Sequence, residues 1–134
     1  MKTFNSSEFL YVLQVITKIR KDWKKEEGKK IVNYFIPSDN LEKPEEQLLD
    51  NKLTTHQNLT LYLRFLSQVY YYYESKFANK RTIEDLFIHP HFIYVKPFLN
   101  EFKNEYLRVK EENKISSPHP KWIIAIEKFN SIVL

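Results

Sequence analysis

Residues 56–77 read HQNLTLYLRFLSQVYYYYESKF, and the spacing within this stretch decides the fold. Leu59, Tyr62, Leu63, Leu66, Val69, Tyr70, Tyr73 and Phe77 recur at helical steps, with Leu61, Phe65 and Tyr72 on the flanks. The apolar arc spans about 200° of the helical wheel, wider than an edge helix requires, so the pattern predicts a central helix packed on two sides. Thr54 or Thr55 can cap it. The remaining wedge holds Arg64, Gln68, Tyr71 and Ser75, which should form a single exposed line.

Upstream, Phe9, Val12, Leu13, Ile16, Ile19 and Trp23 mark one face of a first helix, which Asn5 and Glu8 can open as a capping box. Lys18, Lys21, Lys25 and Lys29 repeat on roughly the opposite face. Gly28 suggests a kink or break, after which residues 31–36 read as a short helix or a lone strand. Helix is favoured because no second strand is available to pair. Residues 38–53 read as an acidic connector in which Pro44 opens a short helix reaching Leu49.

Downstream, Thr82 and Asp85 signal the start of a short helix carrying Leu86, Phe87 and Ile88, which Pro90 should end. Phe92 and Val95 lead into a longer helix from about Pro97, burying Phe98, Leu99, Phe102, Tyr106 and Val109 and leaving Lys110 off the stripe. Pro120 can be the first residue of a last helix that buries Trp122, Ile123, Ile126, Phe129 and Val133. The expected architecture is all-α: a single helical domain over residues 1–134, with five or six helices around the one near 56–77.

Composition narrows the functions available. The 134 residues, 43% hydrophobic and 28% charged, suit one core. A single glycine leaves no loop to wrap a phosphate, and the absence of cysteine removes thiolate chemistry and cysteine zinc sites. No apolar stretch is long enough to span a bilayer, and Glu8, Gln14, Thr17 and Lys18 interrupt any signal-peptide core. The expectation is an intracellular, cytoplasmic protein with no membrane partner. The net charge of +4 is unevenly placed. Residues 18–30 carry seven basic and three acidic side chains, whereas residues 39–50 carry five acidic ones and Lys43.

No catalytic set, metal site or cofactor site is expected. His89 and His91 flank Pro90 near Asp85, yet the spacing reads as a helix-ending turn rather than a zinc site. Arg81 and His89 superficially resemble the Arg–His pair of HEPN-type ribonucleases, but the gap is seven residues and Pro90 abuts the histidine. The same stretch resembles the end of a protein-kinase C-lobe, without the glycine-rich loop or Asp motifs of a kinase. Leu53, Thr54 and Thr55 before a long helix faintly resemble helical small subunits of type III CRISPR complexes, though the Arg expected after the Thr pair is not in place.

The preferred expectation is a non-catalytic interaction module, a small subunit or inhibitor-like binder that docks another protein across Arg64, Gln68, Tyr71 and Ser75. An exposed Tyr beside an Arg has the composition of an interface hot spot. The alternative is an RNA- or DNA-binding accessory subunit using Lys18, Lys21, Lys25 and Lys29, since basic side chains neutralise phosphates. Asp22 can pair with Lys18 or Lys25 and Glu26 with Lys29 or Lys30, which would make the same stripe a salt-bridged surface.

Overall fold

The computed structural model describes residues 6–23 and 26–133, and these residues form five helical stretches and no strand. They are α1 (Ser6–Trp23), α2 (Glu26–Lys29) running into a 3-10 helix (Lys30–Phe35), α3 (Thr55–Glu74), a long stretch, and α6 (Lys121–Ile132). The long stretch comprises α4 (Lys80–Ile83), a π-helical segment (Glu84–Phe92) and α5 (Ile93–Glu112). The all-α expectation holds, and residues 31–36 are mostly 3-10 helix. Asn5 and Lys25 lie outside the described residues, as do the side chains of Glu8 and Phe9.

Thr54 is the N-cap of α3. Its hydroxyl accepts from the Gln57 N–H at 3.1 Å, and the Gln57 side chain accepts from the Thr54 N–H at 2.8 Å, a reciprocal capping box. The seam then turns inward: Leu59, Tyr62, Leu63, Leu66, Val69 and Tyr73 are buried. α3 packs chiefly on α6 and α1, and it reaches the π-helical segment through its rings. The helix stops at Glu74, so Phe77 falls in the following turn and is exposed rather than part of the seam.

The expected stop at Pro90 is not observed. Asn79, rather than Thr82, caps the helix, accepting from the Thr82 N–H at 3.1 Å, and the chain stays helical to Glu112. Proline lacks an N–H and its ring crowds the carbonyl four residues back. Widening to π spacing relieves that clash without ending the helix. Burial of Phe87, Ile88, His91 and Phe92 holds the widened turns against the core.

Residues 38–53 are a connector, but Pro44–Leu49 forms no helix. Side chains from elsewhere pin it in an irregular path. The Tyr34 hydroxyl donates to the Pro44 carbonyl, and Asn33 Nδ2 donates to the Glu42 carbonyl at 2.6 Å. Glu46 accepts from the His56 N–H at 2.6 Å, which satisfies one of the open amides at the start of α3. These contacts compete with the helix that Pro44 would otherwise open.

Two aromatic clusters fill the interior. Phe129 of α6 meets Tyr70, Tyr73, Phe87 and Phe92, with ring centroids 5.5 to 6.3 Å apart. Phe102 of α5 meets Trp23, Phe35, Phe98 and Trp122 at 5.3 to 6.1 Å. All of these contacts are edge-on or tilted, and ring quadrupoles favour edge-on approach over a face-to-face sandwich. Lys110 is buried as well, contrary to its expected place off the stripe: its ammonium donates to the Ser117 carbonyl at 2.5 Å while its stem lies in the core.

Candidate docking face on α3

α3 turns one side to α6 and another to the π-helical segment, where Phe65 meets the Phe87 ring edge-on at 5.8 Å. Between them lies an outward face carrying Arg64, Gln68 and Tyr71, all exposed as expected. Ser75 does not complete the line. It caps the helix C-terminus in an extended conformation, is half-buried, and its hydroxyl has no hydrogen-bond partner among the described residues. Glu74 is the one acidic residue of α3, and it pairs with Lys128 of α6 at 3.4 Å.

Tyr71 is 51% exposed yet not loose. The Lys121 ammonium sits 4.7 Å from its ring centroid, a cation–π contact that fixes the ring against α6. Leu61 and Tyr72, which the wheel placed on the flanks of the buried arc, are exposed too. The outward face is therefore wider and more apolar than the expected line of four. Lys121 could not be found from the helix pattern, because it joins the site across more than 45 residues of chain. Its position reflects how α6 crosses α3.

A groove of about 310 Å³ opens beside this face, where α3 meets the first turn of α6. Phe35, Leu63 and Trp122 line it with apolar surface, and Arg64 and Lys121 supply its charge.

The basic face fares differently. Lys18 and Lys21 are exposed on α1, but Lys29 lies half-buried on α2, a separate helix. Lys30 pairs with Glu42 of the connector at 2.7 Å. Lys18 shares a cavity of about 370 Å³ with Asp22, Glu45 and Glu46. The acidic connector thus folds against the basic stretch and brings Glu42, Glu45 and Glu46 close to Lys18 and Lys30.

The histidines do not converge. His56 stacks on Tyr34 with ring centroids 4.3 Å apart; burial lowers its pKa, with Glu46 opposing and Lys43 adding to the shift. His91 is buried against Tyr62, while His89 and His119 are exposed. Among the described residues no group of three or more His, Cys, Asp or Glu is placed to hold a metal, and no helix is long and apolar enough to cross a membrane. No protein-family model, curated protein or solved structure matches the chain.

Proposed function

We propose that the protein is a non-catalytic interaction module, a small subunit or inhibitor-like binder, that docks another protein on the outward face of α3. The observation that carries this reading is Tyr71: a large exposed ring held in place by Lys121, on the same outward face as Arg64 and the exposed Leu61 and Tyr72. Tyr and Arg are the residue types that most often anchor interfaces. A ring already held on a rigid helix loses little freedom when a partner covers it.

The test is Tyr71→Ala, measured for folding stability and for affinity toward a partner recovered with the unmodified chain. Affinity should fall by about 2 kcal/mol or more while thermal stability changes little. The Lys18→Glu, Lys21→Glu double variant should keep the partner. Unchanged affinity in Tyr71→Ala with an intact fold moves the interface off α3. The nucleic-acid alternative has less support, because Lys30 is ion-paired and Lys18 shares its cavity with three carboxylates.

A further inference from the structure

We infer that the segment docked on α3 is an acidic peptide with a bulky apolar side chain, seated in the groove between α3 and the first turn of α6. This rests on the docking reading above and names the chemistry of its partner. The groove carries two cations, Arg64 and Lys121, and no acidic residue in its lining. Among the described residues neither cation has a carboxylate within ion-pair distance. Elsewhere on the molecule Arg108 is held by Glu105 and Glu112, and Lys128 by Glu74.

The remaining polar groups of the groove sharpen the charge preference. The Thr60 hydroxyl donates to the His56 carbonyl at 2.8 Å, and the Ser67 hydroxyl donates to the Leu63 carbonyl at 2.9 Å. Their protons are used within α3, so the side-chain hydrogen-bond donors left for a ligand are chiefly the cationic ones. α6 also begins here after Pro120, with no side chain capping it, and its first-turn amides add positive potential. Phe35, Leu63 and Trp122 form an apolar wall that takes a Leu- or Phe-sized side chain. A purely apolar ligand would strip water from Arg64 and Lys121 without replacing it, which is costly. A nucleic-acid strand calls for a longer run of cations along its phosphates than two.

The test titrates the isotope-labelled full chain with the peptide acetyl-Glu-Phe-Glu-amide and follows amide shifts and the Trp122 indole by NMR. Saturable shifts at Thr60, Arg64, Ser67, Lys121 and Trp122 are expected, and binding should weaken by about tenfold or more in Arg64→Glu, Lys121→Glu. Arg64→Gln, Lys121→Gln serves as the milder pair if charge reversal disturbs the fold. Equal binding of acetyl-Gln-Phe-Gln-amide, binding of oligouridine in place of the acidic peptide, or a silent titration would each overturn the inference. A silent titration alongside lost partner affinity in Tyr71→Ala removes the groove and leaves the docking face standing. Peptide binding with partner affinity unchanged in Tyr71→Ala does the reverse.

Discussion

The Tyr62 hydroxyl lies 2.8 Å from Nε2 of His91, tying α3 to the π-helical segment inside the core. Both side chains are buried, and burial acts on both in favour of the neutral form. It pushes the Tyr62 phenol upward and lowers His91 from its ordinary 6.5 to about 4. The pair is thus a neutral hydrogen bond at neutral pH, and it spans the segment where Pro90 would be expected to break the helix.

Stability should therefore depend on pH in a defined window. Above 6.5 His91 is neutral in both folded and unfolded chains and contributes no slope. As pH falls from 6.5 toward 4, the unfolded chain takes up a proton that the native state refuses, so stability falls. The loss from this residue is of the order of 3 kcal/mol and levels off below the folded value. Urea denaturation across this range should show that slope, and His91→Gln should flatten it, leaving the smaller same-direction contribution of His56. An unchanged slope in His91→Gln would show that the native state protonates His91 freely.

Leu66 is wholly inaccessible at the centre of α3. Leu66→Ala should cost about 2 to 5 kcal/mol of unfolding free energy, the usual result of emptying a packed leucine site. Chemical denaturation gives the value directly, and a loss under about half a kcal/mol would contradict the packing described for α3.

The single glycine is required by a close approach. A Cβ on Gly28 would fall 1.9 Å from the Asp22 carbonyl oxygen, so α2 must shift off the end of α1 to accept one. Alanine favours helix over glycine by about 1 kcal/mol, yet Gly28→Ala should destabilise by roughly 1 to 3 kcal/mol because overpacking prevails. Any gain in melting temperature would refute the contact.

Just past the end of α5, Lys114 lies in the left-handed region at φ 55°. The Ile115 N–H donates to the Lys110 carbonyl at 2.9 Å and the Lys114 N–H to the Glu111 carbonyl at 3.1 Å, a bonding pattern that usually places glycine at this position. Lys114→Gly should stabilise the protein by roughly 0.5 to 1 kcal/mol, since the relief of Cβ strain exceeds the added freedom of the unfolded chain. A drop in melting temperature would show that the lysine side chain contributes more than the strain costs.

Much of the α3 site could be read before folding was considered. Arg64, Gln68 and Tyr71 are exposed because they occupy the polar wedge of one helix, and a wheel captures that. Ser75 misled because it continues the same spacing one residue past the end of the helix. Leu61 and Tyr72 sit at the edges of the arc, where exposure depends on how closely α6 and the π-helical segment approach. Lys121 arrives from another helix and carries no signal within α3.

The sequence by itself determined the all-α class, most of the buried seams of α3, α5 and α6, and a threonine cap at 54 or 55, because amphipathic spacing and capping act among residues within a few positions of one another. Tertiary structure alone decided that Pro90 is carried through a widened helix, that the connector is pinned open by Tyr34, Asn33 and His56, and that Lys30 meets Glu42. In each of these the deciding partners are 9 or more residues apart or come from the packed core. Bringing them together costs chain entropy that only the assembled core offsets, so no local pattern records the outcome.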